Sequence, residues 1–319
     1  MMRIAILTSG GDAPGMNPAI RAIVRTAIFN KITVYGINNG YRGLIDGELT
    51  ELNASSVGDI IQRGGTILGT ARSEEFQTEE GFQKALNVLD VYNIDGLIVL
   101  GGDGSFRGAQ KLSEAGIMTI GIPCTIDNDL YYCDYTIGFW TAIETVIEAI
   151  GKLRDTSSSH GRANVIEVMG RNSGDLALYS SLAGGGESII VPEQPVDIDA
   201  ICRKALKGRM RGKKHNLIIV AEGVGNVFEI AEQMIAKTGI DTRVTVLGHI
   251  QRGGTPSAPD RIMGSLMGRR AVELLMAGMT NVALGIKNNE VIEVDINEAL
   301  EAEGEFNYDI YDTINILSV

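Results

Sequence analysis

The sequence predicts an α/β fold of two interleaved units, each a parallel sheet with helices on both faces, on three observations. Short runs rich in Val and Ile alternate with amphipathic segments of helical period along the chain. The runs are apolar throughout, as strands buried on both faces are. Two of them, 4–7 and 97–100, lead into the same loop, Gly10-Gly11-Asp12 and Gly101-Gly102-Asp103. This sets two glycine loops on one carboxyl edge of a sheet, where open α/β sheets bind ligands.

Strands are expected at 4–7, 33–37, 96–100, 118–122, 165–168, 188–191, 217–220 and 244–247. Helices are expected at 16–30, 79–93 and 137–154. In the last, Ile143, Val146, Ile147, Ile150 and Leu153 recur at three- and four-residue steps and form one face. A further helix opens near Phe106. At 319 residues the length suits two domains. No Pro- or Ser-rich linker divides them. A second unit begins near residue 140 and the last segment returns to the first, so the expected domains are 1–138 plus about 280–319, and 139–279.

Composition narrows the function. The 40 glycines lie between patterned segments, which excludes collagen-like and low-complexity chains. The net charge of −12 opposes binding to nucleic acid or an anionic membrane. Residues 287–319 carry nine acids against one Lys, whereas 203–215 hold seven Lys or Arg in thirteen positions. Such a basic run is either a solvated helix face or an anion site. Cys124, Cys133 and Cys202 have neither metal-ligand spacing nor an even count for disulfides, so reduced thiols and a cytoplasmic location are expected. No signal-peptide plan and no apolar run of membrane-spanning length is present.

Three segments carry chemistry. Gly101-Gly102-Asp103-Gly104-Ser105, between a strand and a helix, lets backbone amides approach an anion, with Asp103 placed for a hard cation such as Mg²⁺. A plain capped turn is the alternative. Thr125-Ile126-Asp127-Asn128-Asp129 offers two carboxylates, one able to take a proton from an alcohol, or simply an Asx-turn. Arg162, Met169-Gly170-Arg171, Glu222, Arg243 and His249-Ile250-Gln251-Arg252 place basic groups beside one acid and one His, a set suited to two phosphorylated ligands.

Six ordered motifs then mark a resemblance over essentially the whole chain. They are LTSGGDAPGMN (7–17), GGDGS (101–105), TIDND (125–129), RDTSSSHGR (154–162), MGR (169–171) and LGHIQRGG (247–254). The chain resembles bacterial ATP-dependent 6-phosphofructokinases of the allosteric, short-chain type. The resemblance implies an active site between the two domains. ATP would lie at Gly11, Arg72, Ser73, Gly102, Asp103, Gly104 and Ser105, with Mg²⁺ at Asp103. Asp127 would take the proton from the 1-hydroxyl of fructose 6-phosphate, supported by Thr125 and Asp129, with Arg171 stabilising the transferring charge. Met169, Gly170, Glu222, His249 and Arg252 would hold the sugar phosphate. Arg162 and Arg243 would reach a neighbouring subunit's site, which implies a homotetramer.

The resemblance also implies an effector site for ADP or phosphoenolpyruvate at Arg21, Arg25, Arg154, Gly185, Glu187, Arg211, Lys213 and His215. Arg21 and Arg25, four apart on one helix, share a face. The chain departs from the pattern at Cys124, Ser73, Gln77 and Ala54. Cys124 stands where ATP users carry Gly and pyrophosphate users Lys, and its thiol is expected to crowd the donor phosphate. Gly104 fits the ATP class. A pyrophosphate-dependent enzyme and a catalytically weak regulatory relative remain open readings, separable by assay with both donors.

Overall fold

A computed structural model describes residues 2–318. Their packing forms two units. The first takes the chain up to Thr125, then Asp129–Thr141 and Arg252–Gly304; the second takes Ile126–Asn128, Ala142–Gln251 and the described chain from Glu305 on. The strands in chain order are β1 (Arg3–Thr8), β2 (Thr33–Ile37), β3 (Leu49–Leu52), β4 (Gly96–Gly101), β5 (Met118–Thr125), β6 (Ile137–Gly138), β7 (Ala163–Val168), β8 (Ser188–Ile190), β9 (Asn216–Ala221), β10 (Thr242–Val246), β11 (Val282–Lys287) and β12 (Glu290–Asp295).

Among the described residues the first unit's sheet runs β12-β11-β5-β4-β1-β2-β3, with β6 pairing β5. Its centre is parallel, as expected, and at its two edges β2–β3 and β11–β12 are antiparallel. The second case has a local cause. Lys287 pairs Glu290, so only Asn288 and Asn289 join the strands. Both have positive φ, 53° and 64°. That is the two-residue turn whose twist suits a hairpin, and a join so short makes only an antiparallel pair.

Successive strand residues face opposite ways. In the first unit Ala5, Leu7, Leu97 and Val99 pack with Leu44, Phe82, Phe106 and Leu112 from the helices Gly40–Asp46, Glu79–Val91 and Asp103–Glu114. The intervening Ile4, Ile6, Ile98 and Leu100 are equally buried, facing the other way. Helix Met16–Phe29 lies against helix Ala258–Met276 so closely that a Cβ on Gly268 would sit 2.7 Å from the Ala19 carbonyl. Only a residue without a side chain permits that approach. This packing puts 258–276 in the first unit rather than in the expected 139–279.

In the second unit the sheet runs β10-β7-β9-β8, all parallel. Ile166, Val168, Leu217 and Ile219 pack on Val146, Ile150, Ala177 and Leu178. On the opposite face Val165, Ile218 and Val220 pack on Cys202, Ala205, Ala231 and Met234. Ile314, in helix Tyr308–Leu317, joins the first of these clusters, so the chain's last described helix belongs to the second unit and not to the expected 280–319 return. Amphipathic period shows which face of a helix is buried but not which sheet it covers.

Each expected strand is present, and the expected helices appear as Met16–Phe29, Glu79–Val91 and Phe139–His160. The helix after the second glycine loop opens at Asp103, three residues before Phe106. No described helix is long and apolar enough to cross a membrane.

Candidate active site

In the first unit β1 and β4 are parallel neighbours with Thr8 opposite Leu100, so their loops leave the sheet side by side. The Ser9 amide donates to the Leu100 carbonyl at 3.0 Å and ties the two exits together. Gly11 lies under Arg252: a Cβ there would overlap Nη1, so a side chain would displace the guanidinium. Arg252, expected with the sugar phosphate, thus packs on the glycine loop. The second loop runs directly into helix Asp103–Glu114, whose N-terminus receives no side-chain cap. Its leading amides and the positive end of the helix favour an anion. A Cβ on Gly104 would meet nothing within 4 Å, so the space in front of this turn is open.

Asp103, in the first turn of this helix, lies 3.0 Å from the Arg107 Nε, and both side chains are exposed. Among the described residues no three His, Cys, Asp or Glu side chains gather for a metal. A lone accessible carboxylate beside an anion-binding helix end nevertheless suits Mg²⁺, which is commonly held by one or two carboxylates together with phosphate oxygens.

Three polar residues given no role from the sequence tie down these loops or, for Asn17, the segment 63–67. Asn17, almost fully buried, accepts from the Ile67 amide at 2.8 Å and donates to the carbonyls of Arg63 and Gly64. The Thr70 hydroxyl donates to the Gly10 carbonyl at 2.7 Å, tying the segment that leads to the exposed Arg72 to the first glycine loop. Tyr41 donates its hydroxyl to the Ser105 carbonyl at 2.7 Å while its ring stacks on Phe76. Ser73, expected at the nucleotide, accepts from the Phe76 amide at 3.2 Å, within the short turn Glu75–Gln77.

β5 delivers the acidic turn. A Cβ on Gly121 would touch the Phe106 ring at 2.8 Å, so position 121 faces the helix that begins at Asp103. Thr125, four residues on, shares that face, and its Cβ lies 3.8 Å from the place a Gly102 Cβ would take. Cys124 points the opposite way. It is 1 % exposed, and burial, with the Asp260 carboxylate nearby, pushes its thiol well above the usual range. The expectation that Cys124 crowds the donor phosphate is therefore corrected: strand alternation turns the thiol into the packing. Asp129, half-buried, continues the turn in the first unit.

Ile126–Asn128 packs with the second unit. Asp127 is 1 % exposed, with its Oδ2 3.3 Å from the Arg171 Nε. Asn128 adopts φ 52° and donates to Asp175 at 2.8 Å. Burial pushes the Asp175 carboxyl up, against the pull of that hydrogen bond. Arg171 also has positive φ, 52°, and its amide donates to the Glu222 Oε1 at 2.8 Å. One arginine thus meets Glu222 through its backbone and Asp127 through its side chain. Met169, Gly170 and Arg171 follow β7, Glu222 follows β9, and the exposed His249 lies in the turn Gly248–Arg252 after β10. These strands are parallel, so all these residues share the carboxyl edge of the second sheet.

Arg162 and Arg243 do not join them. Arg162 precedes β7 and Arg243 is second in β10, toward the amino edge, with Arg243 about 17 Å of extended strand from Met169. Both hold Asp241, through Arg162 Nε at 2.7 Å and Arg243 Nε at 3.1 Å. The hydrogen bond from Arg162 and the charge of Arg243 keep the Asp241 carboxyl below its usual range.

Part of the expected effector set does converge in the second unit. Glu187, 6 % exposed, takes Lys213 Nζ and His215 Nε2, each at 3.2 Å, and the Leu217 amide. His215 Nδ1 meets the Ser158 hydroxyl at 2.9 Å, and Arg154 donates to the carbonyls of Gly184 and Gly185. Arg211 is exposed just past helix Ile198–Met210. Arg21 and Arg25 lie on helix Met16–Phe29 of the first unit.

Comparison with known proteins points one way. Residues 3–275 match the phosphofructokinase family. Two relatives named ATP-dependent 6-phosphofructokinase align over the full length of both chains. That of Clostridium tetani (strain Massachusetts / E88) is 61 % identical over 318 residues. That of Alkaliphilus metalliredigens (strain QYMF) is 60 % identical over 319. Among solved structures, phosphofructokinase from Saccharomyces cerevisiae superposes with a TM-score of 0.88 at 35 % identity, covering 94 % of this chain, which spans 45 % of that one. A pyrophosphate-dependent phosphofructokinase from Marinobacter aquaeolei gives a TM-score of 0.85 at 22 % identity, covering 97 % of this chain and 86 % of that chain, a likeness of fold alone.

Proposed function

The chain belongs to the phosphofructokinase family, and from that membership we propose that it transfers the γ-phosphoryl group of ATP to the 1-hydroxyl of fructose 6-phosphate. The products are ADP and fructose 1,6-bisphosphate, as in glycolysis. One observation carries the chemistry: a buried carboxylate, Asp127, held 3.3 Å from an arginine Nε at the end of a strand. Asp127 takes the proton of the 1-hydroxyl as that oxygen attacks the γ-phosphorus, and the bridging oxygen leaves with ADP. Arg171 faces the charge that develops. Thr125 and Asp129 flank the base. Transfer of this kind asks for positioning and charge stabilisation more than covalent chemistry.

The donor phosphates lie at Gly11 and at the open turn Gly102, Asp103, Gly104 and Ser105, with Arg72 beside them. Asp103 would hold Mg²⁺, which neutralises phosphate charge when bound. Arg252, packed on Gly11, is assigned to this side. Met169, Gly170, Glu222 and His249 hold the sugar phosphate. Arg162 and Arg243 serve the site of a neighbouring subunit in a homotetramer. The Glu187 cluster belongs to a regulatory site for ADP or phosphoenolpyruvate. The cytoplasm is the proposed location.

The test is a coupled assay of the purified protein with fructose 6-phosphate and Mg²⁺, given ATP or pyrophosphate. Turnover with ATP and none with pyrophosphate is expected. Turnover with pyrophosphate reassigns the donor, and ligand binding without turnover makes the chain a regulatory relative. The same assay checks the orientation of Cys124. Cys124→Gly should leave the KM for ATP unchanged and cost about 1–3 kcal/mol of stability, from a small cavity and a glycine in a strand. A tenfold fall in that KM returns the thiol to the donor site.

A further inference from the structure

We propose that Gln251 is a positioning residue that fixes the turn after β10 against the turn after β7, and so shapes the recognition of the sugar phosphate. The inference rests on the proposed role of Met169, Gly170 and His249 at that ligand. β7 and β10 are paired up to Glu167 and Val246, and the Leu247 amide adds one bond to the Glu167 carbonyl at 3.1 Å. Beyond it both chains turn away, with φ 132° at Gly170, 52° at Arg171 and 54° at Gly248. The connection then passes to a side chain. The Gln251 Oε1 accepts from the Met169 amide at 3.2 Å, and its Nε2 donates to the Gly248 carbonyl at 3.0 Å.

Gln251 is 0 % exposed. A carboxamide is the neutral side chain that offers a donor and an acceptor at this reach, and only one orientation of it satisfies both backbone groups. Met169 is itself buried, so its amide cannot turn to water if the oxygen is removed. The residues after each strand inherit this alignment. Gly170 is one residue past Met169 and His249 is one past Gly248, so slippage between the turns moves both groups assigned to the ligand. A displacement of an ångström at positioning groups is enough to cost binding or rate.

The test compares Gln251→Leu and Gln251→Glu with His249→Ala, each checked for folding by thermal melting. Gln251→Leu should raise the KM for fructose 6-phosphate ~10-fold or more while kcat and the KM for ATP move less than ~3-fold, the pattern of lost ground-state binding. Gln251→Glu keeps an acceptor for Met169 and loses the donor to Gly248, so it should show a smaller rise in the same constant. A merely structural role would lower the melting temperature and leave the sugar-phosphate KM alone. If Gln251→Leu fails to fold, an unchanged KM in Gln251→Glu overturns the inference. If His249→Ala raises the KM and neither Gln251 variant does, the inference fails and the ligand assignment stands. If none of the three raises it, the assignment itself fails.

Discussion

Asp127→Ser should lower kcat by ~10²–10⁴-fold, the range that a positioned general base contributes. The carboxylate is 1 % exposed, so it meets a substrate hydroxyl with little competition from water. Arg171 at 3.3 Å keeps it oriented. Serine retains a hydroxyl in the turn but cannot accept the proton at neutral pH. The KM values should change far less, because the groups assigned to the phosphates are other residues: the glycine turns, Arg72, His249 and Glu222. A fall in kcat and kcat/KM together is the mark of an interaction made only in the transition state. Steady-state kinetics on the folded variant decide it, and more than a tenth of the parent kcat would remove Asp127 from the role of base.

Much of this site was legible in the sequence because its residues are tied to strand ends. Val- and Ile-rich runs reveal buried parallel strands, and the residue after such a run is already placed at a carboxyl edge. That is how Gly102, Asp127, Met169, Glu222 and His249 could be named together. The same rule, applied to Arg162 and Arg243, puts them at the amino edge, since each stands at the start of its run. The hairpin of β11 and β12 was missed because EVIEVD sits in an acidic tail and reads as a charge run, although Asn288-Asn289 just after the apolar run VALGI was a turn signal. Asn17, Tyr41 and Gln251 were illegible for another reason. A buried polar residue is defined by the backbone groups it meets, and those lie far away in sequence. The direction of Cys124 needed one fact that spacing does not supply, namely that Gly121 faces Phe106.

Mixing an Arg243→Ser parent with an Asp127→Ser parent should restore activity that neither has alone. In one chain Arg243 lies toward the opposite sheet edge from Met169, Arg171 and Glu222, about 17 Å of extended strand from Met169, so it cannot serve a sugar phosphate at the carboxyl edge proposed for it. Its guanidinium lies with Arg162 on Asp241, leaving two arginines gathered at that edge. On the proposed homotetramer each site takes Asp127 from one subunit and Arg243 from its neighbour. A hybrid then contains sites whose host has Asp127 and whose neighbour has Arg243. With random exchange of equal amounts, about one quarter of sites are intact (one half for the host times one half for the neighbour), so activity should approach a quarter of the parent enzyme. Subunit exchange is followed by charge-tagged native electrophoresis, and turnover is measured on the same mixture. Confirmed hybrids with no gain over the separate parents would mean that Arg243 does not complete a neighbour's site. Arg162→Ser in place of Arg243→Ser should complement equally, because both arginines hold the same carboxylate.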